Sequence, residues 1–195
     1  MNLRYQLLRG AAIRAELHAL AALRLGVFRE WPYLYEGTLD YERHYLETYA
    51  ACVESLAVLV WDGDECIAAT TALPLDQAPA EMRAPFQHAG IGTADVLYFG
   101  ESLVQHPYRG QGIGLRFFAE REAHARVLGL ARCAFCAVER PSVHPLKPAD
   151  YVPNDDFWQR RGYLHRDDLR CHFEWRDLDQ PLASMHALSY WLKTL

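Results

Sequence analysis

The chain has 195 residues, of which 51% are hydrophobic, and it carries a formal net charge of -5 at pH 7. This length and apolar content suit one continuous core, so we expect residues 1–195 to form a single domain. The acidic balance, with arginines scattered rather than clustered, argues against a nucleic-acid partner. No apolar run is long enough to span a membrane, and Arg4, Arg9 and Glu16 interrupt the N-terminal pattern. We therefore expect no membrane attachment, no signal peptide and a cytoplasmic location.

The first third of the chain predicts two helices joined by an aromatic segment. Apolar residues recur every three or four positions between Ala11 and Phe28, and a helical pattern resumes from Tyr41 to Ala51. Trp31, Tyr33 and Tyr35 lie between the two patterns. These three side chains either pack in the core or form the wall of a substrate pocket.

The next segment predicts an antiparallel hairpin followed by a loop. Residues 56–61 and 66–73 are apolar, strand-forming runs separated by Asp62-Gly63-Asp64-Glu65. Residues 74–94 contain prolines and glycines without a sustained period, although residues 80–86 could form one turn of helix.

A strand, a glycine-rich turn, a helix and a second strand follow. The strands are predicted at about residues 96–104 and 131–138, and the helix ends at Gly129 with Leu115, Phe118, Ala119, Ala123 and Val127 on its apolar face. This order predicts a βαβ unit. Cys133 and Cys136 lie in the second strand and face opposite ways, so we expect reduced core thiols and neither a metal site nor redox chemistry.

The remaining sequence predicts a short helix, a strand and a terminal helix. Asn154 could cap a helix over residues 154–161 that ends at Gly162, and residues 169–175 alternate as a strand. Leu188, Trp191, Leu192 and Leu195 have helical spacing. We expect this C-terminal helix to pack on the body of the protein or on a second subunit in a homodimer.

The turn Arg109-Gly110-Gln111-Gly112-Ile113-Gly114 predicts an anion-binding site. It directly precedes a helix, where unpaired backbone N–H groups and the positive end of the helix dipole face outward. Its glycines allow a diphosphate to approach the backbone, and Arg109 adds a positive charge. The turn matches neither the ATP-binding P-loop nor the dinucleotide fingerprint.

The sequence at this turn resembles the signature of the GNAT acyltransferase superfamily. Val104, Pro107, Tyr108, Arg109, Gly110, Gly112, Ile113 and Gly114 follow the family pattern with slightly shortened spacing. The order of predicted elements from about Ala11 to Trp175 also matches. The resemblance implies an α/β fold with a mixed, mostly antiparallel central sheet and one βαβ cofactor-binding unit.

The same resemblance implies acetyl-CoA as the acyl donor. Backbone amides of the turn would bind the CoA pyrophosphate, Leu103 and Val104 would pair with the pantetheine arm, and Asn154 would contact that arm. Trp158 is at the position where the family usually has the tyrosine that acts as general acid. The turn residues that the resemblance implies for binding the cofactor are Arg109, Gly110, Gln111, Gly112, Ile113 and Gly114.

The resemblance also implies direct attack of an amine on the thioester, with a general base and a general acid. Glu101, on the predicted fourth strand, is our candidate base, although an ordinary strand glutamate is the competing interpretation. Indole is a poor proton donor for a thiolate, so Tyr151, Tyr163 or water must replace the usual tyrosine as acid, unless catalysis is weak.

The acceptor is expected to be a primary amine of a small molecule or a peptide. Trp31, Tyr33, Tyr35 and His144 are our candidate substrate-binding residues. The alternative is a catalytically weak GNAT-fold module that binds or senses acyl-CoA.

Overall fold

One seven-stranded sheet organises the protein. The computed structural model describes residues 2–195, and the strands are β1 Arg4–Arg9, β2 Leu56–Asp62, β3 Glu65–Pro74, β4 Val96–Val104, β5 Arg132–Val138, β6 Leu164–Trp175 and β7 Ser184–Thr194. Their spatial order is β1-β2-β3-β4-β5-β7-β6. Only β4 and β5 pair in parallel. The predicted mixed, mostly antiparallel sheet is confirmed.

Helices cover both faces of this sheet. They are α1 Leu17–Phe28, α2 Leu39–Ala51, α3 Ala80–His88, α4 Ile113–Val127 and α5 Asp155–Gln159. The alternation along β2 matches this arrangement, because Leu59 packs with α1 and α2 whereas Val58 packs with α4. Within residues 2–195, no helix combines the length and apolar character that a membrane crossing requires.

Several predicted boundaries are extended or revised. β1 was not predicted, and residues 10–16 form a 3-10 helix before α1. α3 is a nine-residue helix rather than a single turn, and β6 begins at Leu164 rather than at residue 169. The N-terminus of α2 is set by Thr38, whose side chain accepts a hydrogen bond from the amide of Tyr41.

The predicted C-terminal helix is wrong, because this segment forms β7. β7 lies between β5 and β6 and pairs with both of them. Leu188 and Tyr190 enter one core cluster, whereas Trp191 enters the cluster on the opposite face. The apolar spacing fits a strand buried on both faces as well as a helix, and pairing with two neighbouring strands decides between them.

The predicted βαβ unit is confirmed, but the apolar face of α4 was only partly right. Of the five residues predicted for this face only Phe118 is buried, and Leu115, Ala119, Ala123 and Val127 are exposed. The buried face instead includes the polar residues Arg121 and His124, together with Ile113, Phe117, Phe118 and Ala125. An apolar-only pattern could not assign those two polar side chains to the core.

β4 carries a bulge at Gly100 and Glu101. The register between β3 and β4 shifts between Thr70 and Ala72 at this point. A Cβ atom on Gly100 would lie 2.6 Å from Oγ1 of Thr71 and 2.8 Å from Cζ of Tyr49, and closer still to the Tyr49 hydroxyl. The close approach of α2 to β4 therefore requires glycine at position 100.

Gly100→Ala should destabilise the protein, because the added methyl group overlaps Tyr49 and Thr71. We expect a loss of about 1–3 kcal/mol in the free energy of unfolding, measured by urea denaturation. Adding Tyr49→Phe should recover part of the loss. The matched control is Gly26→Ala in α1, where no atom lies within 4 Å of the new Cβ, and it should stabilise by about 0.5–1 kcal/mol. Equal effects of the two alanine substitutions would contradict the close contact.

Candidate active site

The glycine turn presents an open surface at the start of α4. Gly110 and Gly112 have φ angles of 75° and 84°, and a Cβ atom on either residue would meet nothing within 4 Å. Gly112 immediately precedes the 15-residue helix α4. The N–H groups of its first turn have no partner within the helix, so this surface can receive an anion.

Arg109 links the turn to neighbouring elements. Its Nε donates to the carbonyl of Val104 at 3.0 Å, and its Nη2 lies 2.7 Å from the carboxylate of Glu30. Both side chains of this ion pair are about 40% exposed (42% and 39%). Exposed pairs contribute at most about 1 kcal/mol, so Arg109 can exchange Glu30 for a phosphate at little cost.

β4 and β5 separate just before the bulge. Their parallel pairing runs only from Val96 to Tyr98 on β4, which leaves the remaining residues of β4 without a partner on β5. Leu103 is buried and Val104 is half-buried in this unpaired stretch. The separation provides backbone along which an extended ligand could lie.

α5 lies beside the glycine turn. Cζ of Phe157 lies 3.6 Å from the position of a Cβ on Gly114. Asn154 is exposed and makes no capping hydrogen bond through its side chain. Trp158 packs with its ring centroid 5.0 Å from those of Phe135 and Trp191. The structure thus places Phe157 of α5 against the glycine turn, whereas Trp158 packs in the core with Phe135 and Trp191.

Glu101, the candidate base, has both carboxylate oxygens occupied. One accepts a hydrogen bond from the Thr71 hydroxyl and the other pairs with the guanidinium of Arg24. The Glu101 carbonyl accepts from Oγ1 of Thr70 at 2.5 Å and from Nη1 of Arg121 at 3.3 Å. The residue is 3% exposed. Glu101 therefore fixes the bulge, and each of its carboxylate oxygens already accepts one hydrogen bond.

Arg24 joins two buried carboxylates, an arrangement that the sequence analysis missed. It pairs with Glu42 as well as with Glu101, and its side chain is 11% exposed. The Tyr35 hydroxyl donates to Glu42 at 2.6 Å. Burial alone would lower the pKa of Arg24, but Glu101, Tyr45 and Glu42 raise it above its ordinary value. The sequence did contain a signal for the burial of Arg24. Arg24 lies four residues after Leu20 and therefore on the same face of the predicted helix.

Tyrosine hydroxyls surround this charge cluster. Burial raises the pKa of Tyr33 and of Tyr49, and burial together with the hydrogen bond to Glu42 raises that of Tyr35. These phenols remain protonated near neutral pH, so they act as hydrogen-bond donors and not as bases.

A second buried ion pair joins three loops. Arg140, after β5, makes two hydrogen bonds to Asp177, at 2.5 and 2.8 Å, and donates to the carbonyls of Pro32 and Tyr33. The amide of Leu178 donates to the carbonyl of Leu34. The α1–α2 loop, the segment after β5 and the β6–β7 loop are therefore held together.

This arrangement brings Trp31, His144 and Tyr151 into contact. The ring centroid of Trp31 lies 5.0 Å from that of His144 and 6.0 Å from that of Tyr151. His144, Asp177 and Asp179 also place potential metal ligands within 4.8 Å of one another. Both oxygens of Asp177 already accept from Arg140, and that positive charge opposes a cation there.

The two candidate tyrosine acids differ in their surroundings. The Tyr163 hydroxyl is buried and donates to Glu122 at 3.1 Å, on the α4 side of the sheet. Tyr151 is only half-buried, and burial followed by the charge of Asp155 raises its pKa. Tyr163 is thus committed to a core interaction, whereas Tyr151 lies beside the aromatic loop.

No protein-family model and no curated protein matches the sequence. The structure is similar to an N-acetyltransferase from Staphylococcus aureus Mu50, with a TM-score of 0.61, 12% identity and coverage of 100% of this chain and 99% of that chain. A Drosophila melanogaster polyamine N-acetyltransferase that forms N-acetylagmatine also has a TM-score of 0.61 at 12% identity, with both chains fully covered. The PaiA N-acetyltransferase from Thermoplasma acidophilum, in complex with coenzyme A, has a TM-score of 0.56 at 12% identity, again with full coverage of both chains.

Arg24→Met should destabilise the protein strongly, because it leaves Glu42 and Glu101 buried without their cation. We expect a loss of about 3–5 kcal/mol at pH 7, measured by urea denaturation. The control is Arg14→Met, which removes an exposed pair with Glu47 and should cost less than about 1 kcal/mol. A similar small loss for both variants would argue that Arg24 is not required at the bulge.

Proposed function

Because the chain has the fold of the GNAT N-acetyltransferases, we propose that it transfers an acetyl group from acetyl-CoA to a primary amine of a small molecule or peptide. The observation that carries this proposal is the open glycine turn at the start of α4, next to the point where β4 leaves β5. The amine attacks the thioester directly. No covalent enzyme intermediate is needed, which agrees with five free cysteines and with the raised pKa, about 12, of the buried Cys133 thiol.

The residues present fit coenzyme A. The space beside Gly110 and Gly112 is open, and amides of residues 110–114 would bind the pyrophosphate, with Arg109 moving from Glu30 to a phosphate oxygen. The unpaired edge of β4 at Leu103 and Val104 would hold the pantetheine arm, and Asn154 and Trp158 on the α5 side would flank it. When bound, the cofactor supplies an activated acyl group.

The acceptor would enter from the side of the α1–α2 loop. Trp31, Tyr33, Tyr35 and His144 lie on or against this loop, which Arg140 and Asp177 hold in place. Aromatic faces favour an ammonium group through cation–π attraction. Asp179, an exposed carboxylate close to His144, adds a negative charge that suits an amine. Glu36 pairs with Arg176, and Glu30 would be released only when Arg109 moves to a phosphate.

The acid–base roles follow from which groups are free. Glu101 remains the candidate base and would act on the amine through water, because it is 3% exposed and each of its oxygens already accepts a bond from Thr71 or Arg24. Tyr151 is the proposed general acid, since Tyr163 already donates to Glu122. A phenol held neutral by burial can donate a proton to a departing thiolate.

The alternative is an acyl-CoA-binding module with little catalysis. Trp158 at the usual acid position and the burial of Glu101 favour it. Turnover separates the two functions, because both predict binding of acetyl-CoA.

Acetyl-CoA should stabilise the protein to heat, whereas NAD and ATP should not. Ligand at about a hundred times its dissociation constant adds roughly 2.7 kcal/mol to the free energy of unfolding. Thiol release on addition of mixed amines, followed in the same samples, then distinguishes an enzyme from a sensor. Stabilisation by NAD or ATP but not by acetyl-CoA would disprove the cofactor assignment.

Leu115→Glu tests the pyrophosphate position. Leu115 is the exposed third residue of α4, so a carboxylate there should stabilise the helix by about 0.3–1 kcal/mol. The same charge should repel the pyrophosphate and weaken acetyl-CoA binding about ten-fold by calorimetry. Leu115→Gln is the neutral control and should leave affinity near that of the unsubstituted protein. Unchanged affinity in both variants would place the pyrophosphate elsewhere.

Tyr151→Phe should lower kcat by about a hundred-fold with little change in KM, because it removes the proposed proton donor. The control is Tyr41→Phe on the exposed face of α2, where the residue is 59% exposed. Full activity of Tyr151→Phe would exclude this tyrosine as the acid.

A further inference from the structure

A groove beside α5 lies next to the glycine turn. Its volume is about 490 Å³, and it is lined by Val152, Pro153, Asn154, Asp156, Phe157, Arg160 and Arg161. Phe157 forms part of this wall and also reaches Gly114 in the first turn of α4. An anion bound at the turn would therefore have this groove as its immediate neighbour.

Arg161 is held in a fixed position in this groove. Its guanidinium carbon lies 3.5 Å from the centroid of the Phe157 ring, and its Nη1 donates to the Phe157 carbonyl at 2.6 Å. Its Nε is buried and has no hydrogen-bond partner among the described residues. The stacked ring and the carbonyl orient the guanidinium, but neither neutralises its charge.

Neither arginine of the groove has a carboxylate partner within residues 2–195. Arg116 and Arg126 on the nearby helix α4 pair with Glu120 and Glu122, whereas neither Arg160 nor Arg161 forms such a pair. Burial and the adjacent Arg160 lower the pKa of Arg161, against a raising effect of Glu122. Asp156 is the only carboxylate that lines the groove, so its two arginines leave an excess of positive charge.

Coenzyme A carries a group with matching chemistry. Besides its pyrophosphate it has a 3′-phosphate on the adjoining ribose, and dephospho-CoA lacks only this group. Guanidinium groups bind phosphate dianions through paired, charge-assisted hydrogen bonds. A pyrophosphate seated on the turn leaves the ribose to extend over a neighbouring surface, and the groove offers the two unpaired arginines there.

We propose that Arg160 and Arg161 bind the 3′-phosphate of coenzyme A and make the protein select CoA over dephospho-CoA. This inference rests on the proposed function, because it requires CoA at the glycine turn. It goes further by assigning a cofactor-specificity site to α5 and the residues after it.

Calorimetric titration with CoA and with dephospho-CoA tests the proposal. We expect the unsubstituted protein to bind CoA at least about ten-fold more tightly, since each charge-assisted contact contributes on that scale. Arg160→Gln alters an exposed side chain, and Arg160→Gln combined with Arg161→Gln removes both cations. The ratio of the two dissociation constants should fall in the single variant and approach one in the double variant.

The ratio of the two affinities distinguishes loss of the site from loss of the fold, because partial unfolding weakens the binding of both ligands by the same factor. The matched control is Arg126→Gln, which removes an exposed arginine that does not line the groove and should leave the ratio unchanged. Equal binding of both ligands by the unsubstituted protein would overturn the 3′-phosphate site and leave the proposed function standing. A ratio that persists in the double variant would also overturn the site, and failure of both ligands to bind would overturn both proposals.

Discussion

The pairing of Arg24 with Glu42 and Glu101 is the interaction on which the candidate site depends. All three side chains are nearly excluded from water, so each charge would be costly without the others. They come from α1, α2 and β4, and the cluster therefore fixes both helices against the strand. Gly100 permits this approach because the Tyr49 hydroxyl occupies the space of a side chain. The β4 bulge is thus held from both faces, by Arg24 through the side chain of Glu101 and by Arg121 through its carbonyl.

Two surfaces of different composition carry the residues proposed to bind ligands. β4 leaves β5 after Tyr98, and α4 begins at Ile113, beyond the far end of β4. Unpaired amides and Arg109 lie at the start of α4, and Arg160 and Arg161 follow the end of α5, where they suit a phosphorylated ligand. Aromatic rings and carboxylates lie on the α1–α2 loop, where they suit a cation.

The loops on the acceptor side are ordered by the buried pair of Arg140 and Asp177. The α1–α2 loop lies more than a hundred residues before the segment that follows β5. The contact between them therefore forms only in the folded protein. Arg140 binds the carbonyls of Pro32 and Tyr33, which sets the position of the aromatic segment. Trp31 meets His144 and Tyr151 as a result. The proposed acid Tyr151 and the proposed acceptor residues Trp31 and His144 therefore lie close together, and their placement depends on the salt bridge between Arg140 and Asp177.

The sequence by itself determined the elements with strong local signals. These are β4 at Val96–Val104, the β2–β3 hairpin, the glycine turn and α4, because strand alternation, turn residues and helix periodicity act over a few positions. Only the tertiary structure decided what depends on distant partners. Residues 184–194 became a strand because β5 and β6 flank them. The ion pair of the candidate base Glu101 with Arg24 joins residues 77 positions apart in sequence, so only the folded structure could reveal it. Burial and pairing energies arise only once distant segments meet, and no local pattern encodes them.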